Sequence, residues 1–429
     1  MSQSQITQQV LSNCGKCGLC LSSCPVYQVL KEEQASPRAR LQLIKAFENN
    51  TLESSGLLKE IISKCLMCGA CAVTCPSGIN HYERFMAMRQ KMVEDLGETP
   101  AIRSLIFLLS KEYRLKAGAK LAGMGQRLTP QSLADKYKLG NIPVNKFPKL
   151  NKTPFRSVLP ETISHATKGA PKGKVLYFTG CATNYMFEDT GKATVGILRF
   201  LGYEVTIPSD QTCCAIPLLF HGAAKQARTN IQTNIKALAA HSCDWIIVDC
   251  TTCGAALKDE YPAFIKRQIK ESNDDTKVWQ ALENPAKQIS GKTRDILGFL
   301  ADHDLSYQSE PQQMGKAVYH APCHSRNGFN THGSVQKLLT GLPGIEYIPT
   351  PQEADCCGGG GTFFYEHPDI AKKMMDKKQE QISTTGADLW LTDCPVCRIN
   401  LAGNLKKSDP PRVCHPVSPI YSALNKETS

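Results

Sequence analysis

The chain has 429 residues, 41% of them hydrophobic and 21% charged, with a net charge of +11 and twenty cysteines. Those proportions are ordinary for a soluble globular protein and allow two to four domains, each with its own core. No run of about eighteen apolar residues offers a membrane-spanning helix, the opening MSQSQITQQVL lacks the basic and apolar stretches of a signal peptide, and no basic-aromatic or zinc-finger motif points to nucleic acid.

So many cysteines are therefore expected as thiolates in a reducing cytoplasm, where metal is their obvious use. The first eight form two runs. Cys14, Cys17, Cys20 and Cys24 followed by Pro25 read C-x2-C-x2-C-x3-C-P, and Cys65, Cys68, Cys71 and Cys75 followed by Pro76 repeat it. Two-residue gaps let successive thiolates wrap one face of a cube. The proline then turns the chain away, because it fixes φ and has no N–H to donate. Zinc would call for two pairs, not triplets with a fourth thiol and proline. The spacing resembles that of bacterial two-cluster ferredoxins, which implies two [4Fe–4S] clusters with exchanged fourth ligands. One would take Cys14, Cys17, Cys20 and Cys75, the other Cys65, Cys68, Cys71 and Cys24. Pro37 to Phe47 and Leu57 to Ile62 read as helices between the runs, and residues 1–95 as a small helical ferredoxin domain. Arg38 and Arg40 could offset the charge of a reduced cluster there, or simply face solvent.

Residues 96–172 read as a basic connector. Between positions 101 and 174 there are fifteen Lys or Arg against only Glu112, Asp135 and Glu161, so the rest of the chain is close to neutral. Ile102, Leu105, Ile106, Leu109 and Tyr113 recur at helical spacing among these charges. Such a helix either packs on the core with a solvated basic face or lies on an anionic membrane or a partner. Its cytoplasmic location thus leaves peripheral contact with the membrane face open. Six prolines from Pro130 to Pro171 break the second half into loops.

From there the chain repeats itself at an offset close to 142 residues. Lys174-Val-Leu-Tyr leads to Cys181 and Lys316-Ala-Val-Tyr to Cys323; Asp244 to Asp249 runs into Cys250 and Cys253, and Asp388 to Asp393 into Cys394 and Cys397. Residues 173–310 and 311–429 are thus read as two copies of one domain. Short apolar runs alternate with helical stretches such as Ala223 to Ala240 and Ile370 to Ser383, which predicts βαβ units on a mostly parallel sheet. The expected fold class is α+β overall, with a helical two-cluster domain before two duplicated α/β domains. Every cysteine group follows a predicted strand, and loops beyond the carboxyl ends of such strands converge on one crevice.

Each copy offers five cysteines: Cys181, Cys213, Cys214, Cys250 and Cys253 in the first, and Cys323, Cys356, Cys357, Cys394 and Cys397 in the second. Adjacent cysteines are poor disulfide partners. A cage of five thiolates suits iron–sulfur clusters or zinc, and zinc would leave one thiol over. The run Gly358 to Gly361 lacks the Lys-Ser/Thr of a P-loop. Gly358 and Gly359 are better read as letting the backbone approach a cluster with amides aimed at its sulfurs. His221, His320 and His324 read as hydrogen-bond donors beside the thiolates. Cys243 and Cys414 fall outside every spacing and read as ordinary buried thiols.

A two-cluster ferredoxin module followed by two cysteine-rich CCG domains resembles the heterodisulfide reductase-like iron–sulfur proteins. These include the iron–sulfur subunits of glycolate oxidase, FAD-linked D-lactate dehydrogenase and anaerobic glycerol-3-phosphate dehydrogenase. Ser36-Pro37-Arg38-Ala39-Arg40 is similar to the P-R-G-R of the glycolate and D-lactate branch, and Cys356-Cys357-Gly358 through Thr362-Phe363 to its C-C-G-x-x-G-T-[FY] segment. The first copy departs from the pattern with Cys213-Cys214-Ala215. Both copies keep all five cysteines, a trait of heterodisulfide reductase catalytic subunits with non-cubane clusters. The resemblance implies one further cluster per CCG domain, cubane or non-cubane.

The sequence carries no flavin or nicotinamide motif and no catalytic acid–base or nucleophile constellation, so no catalytic residue is assigned. The reading is an electron-transfer subunit of an FAD-linked 2-hydroxyacid (glycolate or D-lactate) dehydrogenase complex. It would relay electrons from a flavoprotein subunit to quinone or another acceptor. The alternatives are a heterodisulfide reductase-like catalytic subunit and a cytoplasmic relay of a membrane redox complex.

Overall fold

A computed structural model describes residues 14–130, 134, 136–271, 276–405 and 411–424; the opening segment read against a signal peptide lies outside them. The N-terminal portion is helical. Helix Pro37–Glu48 starts on Ser36, whose hydroxyl accepts from the Ala39 amide, with proline in its first turn, where a missing N–H costs nothing. Gly56–Ser63 is capped in the same way by Ser55, and His81–Leu96 by Asn80. Their inward faces, including Leu41, Ile44, Ile62, Phe85 and Met92, join one apolar core with Leu218, Ile231 and Trp279 of the first repeat. The helical portion is thereby anchored on the α/β portion.

The periodic stretch after residue 100 is two helices, not one. Pro100–Leu109 buries Ile102, Ile106 and Leu109, so the core-packing reading holds for it. The chain then breaks at Lys111, which is extended (φ −147°, ψ 134°), and Glu112–Leu128 begins. A small hairpin follows, β1 (Lys138–Leu139) against β2 (Ile142–Pro143).

Each repeat carries one sheet. In the first, β3 (Thr162–Ile163), β4 (Gly173–Phe178), β5 (Tyr203–Thr206), β6 (Trp245–Val248) and β7 (Thr293–Asp295) stand in the order β3-β5-β4-β6-β7, parallel except for β3 at the edge. In the second, β8 (Gly315–Tyr319), β9 (Ile345–Tyr347), β10 (Leu389–Leu391) and β11 (Arg412–Cys414) stand as β9-β8-β10-β11, all parallel. The duplication read from the sequence is thus a duplication of topology. In both, the strand order reverses beside the first strand, which opens a crevice at the carboxyl ends.

Paired aspartates fix this arrangement in both copies. Asp244 Oδ2 accepts from the Lys174 amide and Asp388 Oδ2 from the Lys316 amide, each at 2.8 Å. At the other end, Tyr177 donates to Asp249 at 2.6 Å and Tyr319 to Asp393 at 2.8 Å. The sequence marks these residues as repeat boundaries, but not as the clasp holding neighbouring strands in register. The two sheets also share a core, in which Tyr177, Tyr203 and Ile247 of one pack with Ala317, Leu389 and Leu391 of the other.

Candidate metal centres

The N-terminal cysteines sit on two loops of the same shape. Lys16 and Gly18 in the first (φ 51° and 81°), and Met67 and Gly69 in the second (φ 53° and 75°), are left-handed. Two such kinks per triplet curl the chain into a tight loop, and helices Leu19–Ser23 and Ala70–Val73 leave directly from the glycines. The Met67 amide points at Cys65 Sγ, 3.4 Å away.

Cys24 stands with the second triplet. Burial pushes its thiol up, Arg40 opposes the shift and Cys65 adds to it. Burial raises Cys68 to about 12, with Cys65 next and Cys24 also contributing. Cys14, Cys17 and Cys20 neighbour one another, since both Cys14 and Cys17 act on the half-buried Cys20 thiol. Cys14, Cys20, Cys65 and Cys75 are all half-buried against the same apolar core.

The two arginines part company. Arg40 is buried, with Nε donating to Ile61 O at 3.1 Å and Nη2 without a partner beside Cys24. Arg38 is at the surface, held by Glu33 at 2.7 Å, with its backbone amide on Cys20 and its side-chain charge acting on the same thiol. A buried cation with a spare N–H next to a thiol group fits an anionic cluster; Arg38 brings its charge to the first triplet from the surface.

In each CCG repeat the five cysteines arrive from the carboxyl ends of the strands. Cys181 follows β4, Cys213 and Cys214 follow β5, and Cys250 and Cys253 follow β6. In the first copy Cys213 and Cys253 donate to Cys214, whose thiol falls to about 6. In the second, Cys356 and Cys397 donate to Cys357, which is held well below the usual thiol range. Their donors move the other way: Cys253 and Cys397 are raised by those hydrogen bonds and by burial. Cys394 is lowered too, first by a hydrogen bond from Cys397, so the cages favour one or two thiolates and resist further ionisation without a cation. Gly358 and Gly359 aim their amides at Cys356 Sγ (3.3 Å) and Cys357 Sγ (3.4 Å). The donor set therefore fits a sulfur-ligated cluster.

The groups form a series. Burial raises Cys323, followed by the influence of Cys68 and then of Cys394. Asn327 ties the same region to the Cys68 carbonyl at 2.8 Å. Across the repeats, Thr252 Oγ1 lies 3.9 Å from Cys394 Sγ, and Cys394 acts on Cys250. Cys68, Cys323, Cys356, Cys357 and Cys397 line one cavity of about 340 Å³.

The histidines divide as well. His320 hydrogen-bonds Cys357, and these two with Cys397 bring their ligand atoms within 4.8 Å of one another. His324 bonds Thr252 at 3.0 Å, and burial lowers its pKa to about 4. His221 is bonded to Thr362, remote in sequence, rather than to a thiol. Cys414 is a buried strand residue and Cys243 half-buried in a loop, outside all four groups.

Comparison with known proteins agrees with this geometry. The cysteine-rich CCG domain model matches residues 175–258 and 317–402, and the 4Fe-4S dicluster domain model matches residues 10–79. The chain is 31% identical to lactate utilization protein A of Oceanobacillus iheyensis, over 54% of this chain and 90% of that protein. The chain belongs to the CCG-domain iron–sulfur family. Within it, identity is 28% to the probable glycolate oxidase iron-sulfur subunit of Bacillus subtilis, over 98% of this chain and 95% of that one. Identity is also 28% to one of the subunits of the fumarate reductase (CoM/CoB) of Methanothermobacter marburgensis, over 92% of this chain and 68% of that one. No helix among the described residues is long and apolar enough to cross a membrane.

Proposed function

We propose that this CCG protein is the electron-transfer subunit of an oxidoreductase complex in which a separate FAD-containing subunit oxidises a 2-hydroxyacid, glycolate or D-lactate. The observation that carries the reading is the series of thiol groups from the N-terminal loops into both repeats, where Asn327 holds the Cys68 carbonyl at 2.8 Å and Thr252 stands 3.9 Å from Cys394 Sγ. Bound iron–sulfur clusters pass single electrons, whereas hydride-level oxidation of an alcohol calls for a cofactor such as flavin. The ligands would be Cys14, Cys17, Cys20 and Cys75 for one [4Fe–4S] cluster, and Cys24, Cys65, Cys68 and Cys71 for the other. The two five-cysteine cages take one further cluster each. The chain's residues orient the thiolates and donate amides to sulfur. We take the domains to be 1–95, 96–172, 173–310 and 311–429.

The acceptor in this reading is quinone at a membrane, with the chain resting peripherally on the cytoplasmic face. Helix Glu112–Leu128 supports this. Tyr113, Ala117, Leu121, Met124 and Leu128 recur along one exposed face, flanked by exposed Lys116, Lys120 and Arg127. A second reading, disulfide cleavage at a CCG cluster, has its own observation in the cavity beside Cys356 and Cys357 and in the completeness of both cages.

Iron analysis with EPR on anaerobically prepared protein tests the series: about sixteen irons per chain are expected if all four sites hold four-iron clusters. Eight irons with zinc would make the repeats structural. Hydroxyacid-driven reduction that requires an added flavoprotein supports the first reading. Disulfide reduction by the isolated chain would replace it with the second.

A further inference from the structure

The two cages match in their thiols but not in the groups around them. His320 stands directly after Tyr319 and Phe178 directly after Tyr177, the tyrosines that hold equivalent aspartates. Arg326 lies three residues after Cys323, where the first copy has Asn184 three residues after Cys181. Lys378 is the eleventh residue of helix Pro368–Ser383, and Asn234 the eleventh of Ala224–Ala239, two helices of sixteen residues each. Positions that carry Phe, Asn and Asn beside the first cage thus carry His, Arg and Lys beside the second.

The last pair shows an exchange of charge on a common scaffold. Asn234 accepts from the Thr212 amide at 2.8 Å and donates to Cys213 O at 3.1 Å, tying down the segment that enters the first cysteine pair. Lys378 ties down the matching segment, with Nζ donating to the carbonyls of Gln352 (2.9 Å), Glu353 (3.3 Å) and Asp355 (2.8 Å). Three donated bonds need the three protons of an ammonium, so this buried side chain is a cation. His320 is buried too and hydrogen-bonds Cys357, and Arg326 has a buried Nε without a partner. All three line the 340 Å³ cavity together with the cage cysteines. The acids nearby are paired elsewhere, Asp355 with Lys377 at 3.1 Å and Glu353 with His332 at 3.0 Å. In the first cage the thiols act chiefly on one another, with Glu112 and Asp249 adding negative charge.

We infer that the cluster of the second cage has the higher reduction potential of the two, and that Lys378, Arg326 and His320 set the difference. The inference rests on the relay proposed above and adds where its electrons settle. A cluster gains one negative charge with each electron it accepts. Fixed cations in a buried site stabilise that added charge, and so favour the reduced state over the oxidised one. The second cage is also the one in contact on both sides, with the Cys68 loop through Asn327 and with the first repeat through Thr252 and Cys394. An electron arriving from either side is therefore held in the middle of the series.

The test is an EPR-monitored redox titration of the full chain with its iron, using dithionite as reductant. Cys181→Ser and Cys323→Ser assign the spectra, because exchanging a ligand alters the spectrum of its own cluster. In the parent, the second-cage signal should appear at the higher potential. Lys378→Asn and Arg326→Asn, which copy the first cage, should each lower that midpoint by at least about 59 mV, a tenfold change for one electron. The first-cage midpoint should stay in place. Arg326→Lys, which keeps the charge, should keep the potential. Arg326 is partly exposed, so its variants carry the test if Lys378→Asn fails to fold. Asparagine variants with the parent's midpoint, or an equal fall in Arg326→Lys and Arg326→Asn, would overturn the inference. If the repeats bind no iron, the relay and the inference fall together. If both clusters are present but reduce at one potential or in the reverse order, the relay stands and the inference alone falls.

Discussion

Ala215 and Gly358 hold the same place in the two copies, directly after the paired cysteines, and both are left-handed, at φ 69° and 78°. The amide of each is aimed at the first cysteine of its pair. Alanine is strained in this conformation by about 1 kcal/mol, so Ala215→Gly relieves strain but gives up a buried methyl worth about as much. A change in stability within about 1 kcal/mol is expected by thermal denaturation. The reverse change at Gly358 is not symmetric. A Cβ there would lie 2.9 Å from both Cα and O of Ala371, so helix Pro368–Ser383 must move as well. Gly358→Ala should cost about 3 kcal/mol or more and remove the EPR signal of the second cage first. The sequence reveals a missing glycine at 215, but not that the backbone keeps glycine's conformation, because that depends on where both neighbouring thiols must stand. Glu260 is a second case hidden from the sequence. It is buried beside Tyr82, and burial raises its carboxyl to about 7 from the usual 4.5. A raised carboxyl favours the folded state when protonated, so its ionisation costs stability progressively as pH climbs from about 4.5 to 7. Glu260→Gln should therefore gain on the parent by up to about 3 kcal/mol between pH 5 and pH 8, read as the difference in their thermal midpoints. A gap that stays constant with pH would refute the assignment.

The connector shows what periodicity can and cannot reveal. Ile102 through Tyr113 keep helical spacing across the break, so the pattern reads as one helix. Side chains off that stripe make the turn: Arg114 donates to Ser110 Oγ at 3.1 Å and lies over the Phe107 ring at 3.9 Å, folding the second helix back on the first. As a result the buried face belongs to Pro100–Leu109 and the exposed apolar face to Glu112–Leu128. If that second face meets a membrane, the double change Leu121→Glu and Leu128→Glu should lower binding to anionic vesicles at least about tenfold per site. Added salt should weaken binding of the parent as well. Equal sedimentation of parent and variant with such vesicles would exclude this face.

Across the whole molecule, the ferredoxin-like spacing and the repeat offset made the four thiol groups and the α/β class readable. Their order was not. It depends on contacts between residues far apart in the chain: Asn327 on the Cys68 loop, Thr252 against Cys394, and Arg398, which stacks on Phe187 and pairs with Asp189 at 2.8 Å across the repeats. No periodicity encodes such meetings, since each copy alone would satisfy the same pattern. The His221–Thr362–Glu366 chain was hidden for the same reason, with His221 supplied by the first repeat and Thr362 and Glu366 by the second.

The apolar layer common to the two sheets limits how this protein can be taken apart. A cut in the segment 302–314 would leave Ala317, Leu389 and Leu391 on one fragment and Tyr177 and Ile247 on the other with their inner sides wet. Either half made separately should clump, whereas the same break introduced after folding should leave the two pieces clasped. Loss or gain of one copy in a lineage would accordingly demand a rebuilt inner wall, not merely a shorter gene.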